Sequence, residues 1–299
     1  MSPTTVGDAV AAVTRTLRGA GVASPEVDAR WLVEAASGTD PRRAPDAALT
    51  AAAADALAAL VTRRSAREPL QLVLGSTAFR TIELRCRPGV FVPRPETEVL
   101  AGIVIDLVRT MRPVDDRVVV QEPCCGTGAV GLAVASEVDG AVVLLGDRSE
   151  RAVALARENR DRLADAGLLR VPVEVHRGGL LDAFIGSEHG RADIIVANPP
   201  YLPDADLASL DPEVRAHDPH DALAGGPDGH EVVDALLGAA AERLTPGGAV
   251  VLEIDARRAA DAAAVARRAG LVDVEVRADL TGAQRFILAR CPGPAEVRG

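Results

Sequence analysis

One tetrapeptide, Asn198-Pro199-Pro200-Tyr201, could hold a nitrogen atom that carries two hydrogens. It follows an apolar segment, residues 194–197, that is typical of a buried strand. Because the two prolines restrict the backbone, we expect the Asn198 side chain and the Pro199 carbonyl to act as paired acceptors for an NH₂ group. Tyr201 would then stack on a planar amide or base. The alternative is a rigid loop without a chemical role.

Paired acceptors of this kind fit the transfer of a methyl group to an amide or amine nitrogen. An amide nitrogen is a poor nucleophile because its lone pair is delocalised into the carbonyl group. Acceptors that engage both hydrogens favour the pyramidal form with developing positive charge, so they stabilise the transition state more than the ground state. Alignment with a methyl donor adds effective molarities on the order of 10⁵ M or more, and no general base is needed before transfer.

A second polar cluster follows another apolar segment, residues 118–120, and indicates a nucleoside cofactor. The chain continues as Glu-Pro-Cys-Cys-Gly-Thr-Gly from Glu122, where the two glycines let the backbone approach a ligand and the next helix offers free N–H groups. Asp147 ends the following apolar segment, where a carboxylate can accept both hydroxyl hydrogens of a ribose. Gly131 is out of register for a dinucleotide fingerprint, so we predict S-adenosylmethionine, with Glu122 holding its ammonium group or the turn. A tight strand-to-helix turn without a ligand is the alternative.

Composition narrows the function classes. The formal net charge is −10, and the sequence lacks the basic stripe of a nucleic-acid-binding surface, so we expect no direct nucleic-acid binding. The four cysteines have spacings unsuited to zinc or to disulfides, which favours reduced thiols, a cytoplasmic protein and no metal site. No run of about 18 apolar residues and no signal-peptide pattern is visible, so we expect no membrane span. A monomer is the default expectation.

Helices and a hairpin are expected before residue 112. Apolar residues three to four apart predict helices over 5–20, 24–36 and 50–67, the second of them opened by Ser24 as cap and Pro25 at the first helical position. Alternation from 79 to 92 predicts a hairpin that turns at Pro88 and Gly89. A further helix is predicted from 96 to 111.

Apolar segments then alternate with helical ones. This alternation predicts a doubly wound, mostly parallel sheet with helices on both faces. The last two strands have no helix between them, which predicts one antiparallel edge strand. The fold class is therefore α/β, preceded by a small N-terminal helical domain. The predicted strands cover residues 118–120, 142–145, 171–175, 194–196, 250–254, 272–276 and 285–288.

With these motifs the chain resembles the HemK/PrmC family of peptide-release-factor glutamine N5-methyltransferases. Residues 64–75 look like the junction segment of that family, and residues 91–98 match its Ile-Pro-Arg-Pro-Glu-Thr-Glu block. Residues 198–201 match its Asn-Pro-Pro-Tyr motif. Residues 217–229 match a stretch that carries Ala-Leu, Gly-Gly and Asp-Gly pairs. Asn-Pro-Pro-Tyr alone is shared with adenine-N6 methyltransferases, whereas the whole ordered set is much more specific.

The resemblance implies a class I S-adenosylmethionine-dependent methyltransferase fold and an activity on a glutamine side chain. The implied organisation is a helical substrate-recognition domain (1–74), a β-hairpin linker (75–95), the methyltransferase domain (96–291) and a disordered tail (292–299). The implied partner is a class I peptide chain release factor with a Gly-Gly-Gln loop, recognised by the N-terminal helices. The amide would be bound by Asn198 and Pro199, with Tyr201 packing on it.

The predicted site residues form two sets that share Asn198. The predicted substrate-binding set is Pro93, Arg94, Pro95, Glu96, Thr97, Asn198, Pro199, Pro200 and Tyr201, of which Asn198, Pro199 and Tyr201 are the predicted catalytic residues. The predicted cofactor-binding set is Glu122, Cys124, Gly126, Thr127, Gly128, Asp147, Arg148, Gly179, Leu180 and Asn198.

Two positions depart from the family pattern. Cys124 stands where the family has a glycine, so we expect a less extreme backbone conformation there. Gly179 stands where the family has an acidic residue that reaches the adenine, so that contact would come from backbone groups, from Asp182, or be weaker. Three alternatives therefore remain open: a paralogue that methylates another protein glutamine, an adenine-N6 nucleic-acid methyltransferase, and a non-catalytic relative that only binds a partner.

Overall fold

A computed structural model describes residues 4–111 and 117–293. These residues divide into two compact units, one drawn from Met1–Ser76 and Asp211–His217, the other from Thr77–Leu210 and Asp218–Gly299. The helices are α1 (Val6–Gly19), α2 (Pro25–Ser37), α3 (Ala51–Ser65), α4 (Leu70–Leu74), α5 (Thr97–Thr110), α6 (Ala129–Glu137), α7 (Glu150–Asp165), α8 (Pro212–His217), α9 (Glu231–Arg243) and α10 (Ala259–Arg268). The strands are β1 (Ser76–Phe79), β2 (Ile82–Arg85), β3 (Val118–Pro123), β4 (Ala141–Asp147), β5 (Val173–Arg177), β6 (Ala192–Ala197), β7 (Leu244–Glu253), β8 (Val272–Ala278) and β9 (Gln284–Arg290).

The first unit is helical. Helices α1 and α3 lie within their predicted ranges, and α2 ends one residue beyond its predicted range, at Ser37. Thr5 caps α1 by accepting the N–H of Asp8 at 3.1 Å, and Thr50 caps α3 in the same way. Ser24 occupies the predicted cap position of α2 but makes no side-chain hydrogen bond to the helix. Pro25 stands in the first turn of α2, as predicted. The short helix α4 was not predicted.

A buried ion cluster also belongs to this first unit. The Arg64 guanidinium group donates to Asp28 at 2.7 Å and to Glu213 at 2.8 Å, and its side chain is only 5% exposed. Arg67 donates to the same Glu213 oxygen at 2.9 Å. Burial acts to raise the pKa of Glu213, but the hydrogen bonds from the two arginines outweigh it and the pKa is lowered. The cluster therefore holds α2, α3 and α8 together by charge.

A two-stranded sheet of β1 and β2 comes next in the chain. The prediction that Pro88 and Gly89 close this hairpin is wrong, because the strands are joined at Arg80 and Thr81 and the Pro88–Gly89 turn follows β2. Arg80 adopts a φ of +51° there. The sequence has no glycine or asparagine at the turn, which is why the pattern did not reveal it.

The second unit contains a seven-stranded sheet in the order β5-β4-β3-β6-β7-β9-β8. The first five of these strands are parallel, and β9 runs antiparallel to both β7 and β8. The predicted doubly wound, mostly parallel α/β fold is confirmed. One detail of position differs: the antiparallel strand β9 lies inside the sheet, and β8 forms the edge.

The two faces of this sheet bury two separate hydrophobic clusters. Ile194 and Val196 of β6 pack into one cluster with apolar residues of α5, α6 and α7, whereas Ile195 and Ala197 pack into the other with α9 and α10. This alternation follows from the two-residue period of a strand. Both faces are covered, so β6 is fully buried and its carboxyl end is held in place by two layers of helices.

Three other predictions concern the tail of the chain, a membrane span and a metal site. The predicted disordered tail falls largely on residues 294–299, which lie outside the described residues. Among the described residues, no helix is long and apolar enough to cross a membrane. The same residues contain no cluster of histidine, cysteine, aspartate or glutamate side chains suited to a metal ion.

Candidate active site

The predicted chemical residues meet at the carboxyl ends of β3, β4 and β6. These three strands are neighbours in the sheet, and the chain leaves β3 toward β4 on one side and reaches β6 on the other. That reversal is a topological switch point, where open parallel sheets bind their ligands. A cavity of the second unit opens there. Predicted residues that line it are Pro93, Thr97, Glu122, Cys124, Gly126, Thr127, Asp147, Arg148, Gly179, Leu180, Asn198 and Pro200.

The turn between β3 and α6 is held by backbone hydrogen bonds. The N–H of Cys125 donates to the Gly146 carbonyl at 2.9 Å, and the N–H of Gly128 donates to the Cys125 carbonyl at 2.7 Å. Gly126 and Gly128 have φ values of +55° and +80°. The expectation of a less extreme backbone at Cys124 is wrong, because its φ is +60°. The turn imposes the left-handed conformation on whichever residue stands there, and a cysteine adopts it at some cost in strain.

Glu122 is a buried carboxyl group at the end of β3. Its Oε2 accepts the N–H of Gly131 at 2.7 Å, in the first turn of α6. Burial, with a contribution from the nearby Asp147 charge, raises the pKa of Glu122 to about 8. A carboxyl group in that environment is poised to take up a cation, because a bound ammonium group would restore the ionised form.

Asp147 presents an oriented carboxylate at the end of β4. Its Oδ2 accepts the N–H of Gly126 at 3.0 Å, and its Oδ1 accepts the N–H of Ser149 at 2.8 Å. Each carboxylate oxygen can accept a second hydrogen, so the group can still take two hydroxyls. Burial raises its pKa, against these backbone hydrogen bonds. This geometry fits the two hydroxyl groups of a ribose.

Asn198 begins a chain of side-chain hydrogen bonds at the end of β6. Its Nδ2 donates to Thr97 Oγ1 at 3.1 Å, and the Thr97 hydroxyl donates to Glu253 Oε2 at 2.9 Å. The Tyr201 hydroxyl donates to the other oxygen, Glu253 Oε1, at 3.0 Å. With Nδ2 committed to Thr97, the Asn198 Oδ1 is the atom available as an acceptor at the cavity.

Glu253 is a functional candidate that sequence reasoning missed. It is the last residue of β7, 2% exposed, and burial raises its pKa while Thr97 and Tyr201 donate to it. A signal was present, since Glu253 interrupts the apolar segment 250–254 as Glu122 and Asp147 close theirs. No motif marks it, however, because its partners are far away in the sequence.

The segment 93–97 contributes less to the cavity than predicted. Pro93 and Thr97 line it, whereas Arg94, Pro95 and Glu96 do not. The Arg94 guanidinium group forms an ion pair with the buried Asp218 and lies over the Phe91 ring, 5.1 Å from its centroid. That placement gives Arg94 a role in holding the loop around Asp218.

The remaining predicted residues fall into two groups. Gly128, Pro199 and Tyr201 do not line the cavity, and Tyr201 packs against the core while its hydroxyl is bound to Glu253. Gly179 and Leu180 do line it. A Cβ atom added at Gly179 would meet nothing within 4 Å, so the cavity has room for a side chain there. Lining residues that were not predicted include Val90, Phe91, Asp221, Ala222 and Val232.

The cysteines near the cavity are poor nucleophiles. Burial raises the pKa of Cys124 to about 12, and it also raises the pKa of Cys125 well above its usual range. Neither thiol is therefore activated, and both side chains serve as neutral turn residues.

Comparison with known proteins places the chain among named families. The PrmC N-terminal domain matches residues 8–75, and the methyltransferase small domain matches residues 84–210. A release factor glutamine methyltransferase of Deinococcus radiodurans is 40% identical, over 96% of this chain and 98% of the relative. A release factor glutamine methyltransferase of Streptomyces coelicolor is 38% identical, over 94% of this chain and 96% of the relative.

A solved structure is also similar. The crystal structure of a release factor-specific protein-(glutamine-N5) methyltransferase from Alicyclobacillus acidocaldarius aligns with a TM-score of 0.40 and 22% identity. The alignment covers 67% of this chain and 94% of that chain.

Proposed function

We propose, from the premise that this chain belongs to the family of release factor glutamine methyltransferases, that it methylates the side-chain amide nitrogen of a glutamine in a class I peptide chain release factor. The glutamine is that of the Gly-Gly-Gln loop, and the methyl donor is S-adenosylmethionine. The observation that supports the proposal best is the Asn198 amide, oriented by Thr97 with its Oδ1 free at a cavity that also holds Glu122 and Asp147.

The residues at the cavity fit S-adenosylmethionine in charge and in shape. Glu122 would hold the ammonium group and Asp147 the ribose hydroxyls, and the glycine backbone at Gly126 would lie against the ligand. A Cβ atom at Gly126 would meet no protein atom within 4 Å, so that side of the turn is open. When bound, the cofactor supplies an electrophilic methyl group on a sulfonium.

The protein's own contribution is to hold the amide nitrogen. The Asn198 Oδ1 and the Pro199 carbonyl would accept the two hydrogens of the glutamine NH₂ group. Acceptance of both hydrogens favours the pyramidal nitrogen whose lone pair is no longer delocalised, and it stabilises the positive charge that develops during transfer. The extra proton leaves the nitrogen after transfer, so the residues need only orient the group and lower the barrier.

The test is methyl transfer with a mapped product. The purified protein is incubated with labelled S-adenosylmethionine and a release factor, and the labelled peptide is identified by mass spectrometry. We expect the label on the glutamine of the Gly-Gly-Gln loop, and none on a matched release factor with that glutamine changed to alanine. Label on another protein from whole lysate, with the release factor unlabelled, would instead favour a paralogue with a different substrate.

A further inference from the structure

We infer that Glu253 is a positioning residue that acts through Thr97 to fix the orientation of the Asn198 amide, so that the site accepts an NH₂ group and rejects a group without hydrogens. The inference rests on the proposed function, because it explains how the same site would distinguish glutamine from glutamate. It assigns to Glu253 a role that does not require contact with either substrate.

The first step is that an ionised Glu253 can only accept. It receives one hydrogen bond from Thr97 at 2.9 Å and one from Tyr201 at 3.0 Å, each on a different oxygen. A carboxylate has no hydrogen to give, so both hydroxyl groups must point their hydrogens at it. Burial makes these bonds strong and an unpaired partner costly.

The second step concerns Thr97, whose hydroxyl has a single hydrogen. Once that hydrogen points at Glu253, the Thr97 oxygen can act toward Asn198 only as an acceptor. The amide must then present Nδ2 to Thr97, as the 3.1 Å contact has it, and Oδ1 becomes the acceptor for substrate. The direction of each bond is thus set by the one before it, starting from Glu253.

The reversed arrangement shows what the carboxylate prevents. If the Thr97 hydrogen pointed at Asn198, Oδ1 would turn toward Thr97 and Nδ2 would face the substrate. Two NH₂ groups would then oppose each other, donor against donor, and a glutamine would bind poorly. A glutamate, whose oxygens only accept, would bind such a site better. Sites that hydrogen-bond a substrate group strongly reject an analogue that lacks it, which is the selectivity expected here.

Glu253 has charged neighbours on the elements around it. Arg285 lowers the pKa of Glu253 while Glu96 raises it, and burial is the largest influence, in the raising direction. The measurements below are therefore made in mildly alkaline buffer, well above the ordinary range of a carboxyl group, so that the carboxylate form is present.

A set of variants distinguishes the effect of Glu253 from the effect of Thr97, through which it acts. Glu253→Met removes the acceptor at similar length, Thr97→Val removes the hydroxyl at constant shape, and a double variant combines them. Thr97→Ser retains a hydroxyl. The matched control is Asp193→Asn, because Asp193 is also a buried carboxylate that accepts from a threonine hydroxyl, Thr245, at 2.7 Å, but it lies near the start of β6, away from the cavity. Thermal unfolding and S-adenosylmethionine binding confirm that each variant is folded.

The first measurement is the side-chain NH₂ signal of Asn198 in ¹⁵N NMR spectra, identified by its loss in Asn198→Ala. In the parent protein one of its hydrogens is bound to Thr97, so we expect it to exchange slowly. We expect Glu253→Met and Thr97→Val each to accelerate that exchange by about tenfold or more. An unchanged signal in Glu253→Met would overturn the inference, and this reading needs no substrate.

The second measurement is the discrimination between glutamine and glutamate. It is a ratio of two constants: the inhibition constant of a release factor whose Gly-Gly-Gln glutamine is replaced by glutamate, divided by the KM for the release factor with glutamine. We expect this ratio to fall by about tenfold or more in Glu253→Met and Thr97→Val. Thr97→Ser should retain it within about threefold, and Asp193→Asn should leave both ratio and turnover at the parent level. A structural defect would lower stability without inverting the preference.

The double variant decides whether Glu253 acts through Thr97. If it does, adding Glu253→Met to Thr97→Val changes the discrimination ratio by less than about twofold, because Thr97→Val alone already removes the hydroxyl group that links Glu253 to Asn198. If the losses of discrimination in the two single variants instead multiply in the double variant, Glu253 acts independently of Thr97 and the inference is overturned. If the parent protein methylates no glutamine, the proposed function fails instead, and the Asn198 NMR signal still decides the hydrogen-bond directions.

Discussion

Asn198 is the residue whose removal should separate turnover from cofactor binding. Asn198→Ala removes one of the two acceptors proposed for the glutamine NH₂ group, so we expect kcat to fall by about 10²- to 10³-fold. The Kd for S-adenosylmethionine, measured by calorimetry, should change less than about threefold, because the residues proposed to hold the ribose and ammonium groups lie on β3 and β4. Activity that survives this change would place the amide site elsewhere.

The proposed contact between Glu122 and the ammonium group of the cofactor predicts a pH dependence of binding with a defined sign. Its pKa of about 8 in the free protein means that the carboxyl group is largely neutral at lower pH, whereas an ammonium ligand needs the carboxylate. We therefore expect the affinity for S-adenosylmethionine to rise between about pH 6 and pH 8, by up to about tenfold per unit, and Glu122→Gln to flatten the curve. Calorimetry across that range measures both.

The same shift acts on stability in the opposite direction. The folded-state pKa of Glu122 is raised, so its stabilising contribution is present below the unfolded-state pKa and is lost as pH rises through about 8. The free energy of unfolding of the free protein should therefore decline over the interval in which cofactor affinity improves. A parallel rise of both quantities would contradict the assignment.

A substitution at Gly179 tests the effect of having glycine where the family pattern has an acidic residue. Its φ is −84° and a Cβ atom there meets nothing within 4 Å, so an aspartate fits without strain. If the resemblance is a guide to the adenine contact, Gly179→Asp should tighten S-adenosylmethionine binding by about two- to tenfold, the value of one hydrogen bond.

Gly178→Asp provides the control for that change. A Cβ atom at Gly178 would lie 2.5 Å from the Ala183 Cα, a backbone atom that cannot move away easily. We expect this neighbouring substitution to weaken binding and lower the melting temperature. Equal effects at the two positions would show that the added charge, not the adenine contact, is responsible.

At the scale of elements, the Arg64 cluster should dominate the stability of the helical unit. Arg64→Met leaves Asp28 buried without its cation, so we expect a loss of about 3 to 5 kcal/mol in the free energy of unfolding. Arg18→Met is the matched control in the same unit, since Arg18 and Glu26 form an exposed pair that solvent screens, and we expect a much smaller loss there. Chemical denaturation followed by circular dichroism measures both.

Much of the element order could be predicted because it depends on local patterns. The strands β3, β4 and β6 each end an apolar segment with a polar residue, and a parallel sheet brings such ends to one edge. The left-handed backbone of Cys124 and Arg80 could not be predicted, because that conformation is expected of glycine. Tertiary hydrogen bonds and strand connections imposed it instead.

The residues of the candidate site could likewise be predicted only where a local sequence pattern marks them. Asn198 and Asp147 could be identified because each stands at the carboxyl end of an apolar segment, and both line the cavity. Glu253 was missed because its role depends on a hydrogen bond from Thr97, which is 156 residues away along the chain. Arg94 was assigned to the cavity from the motif block, but its charge is taken by Asp218. Side-chain pairing of this kind depends on tertiary structure, which spacing does not encode.

At the scale of the whole molecule, the net charge of −10 argues against a nucleic-acid substrate. A protein that neutralises phosphates should bind a polyanion, with a strong dependence on salt. We expect this chain to pass through a heparin column at about 100 mM salt, whereas an adenine-N6 methyltransferase acting on free nucleic acid would be retained. Retention that weakens steeply with salt would revive that alternative.

Glu213 lies 149 residues after Arg64, yet both belong to the same compact unit. The helical unit is therefore not a contiguous piece of the gene, and Glu213 is encoded inside the stretch that otherwise specifies the second unit. A crossover that exchanges only the first 76 residues with those of a relative would inherit Arg64 and Arg67 from one parent and Glu213 from the other. Where the relative differs at these positions, we expect a second crossover around residues 211–217 to restore the stability of the chimera, because it brings Glu213 back together with the two arginines.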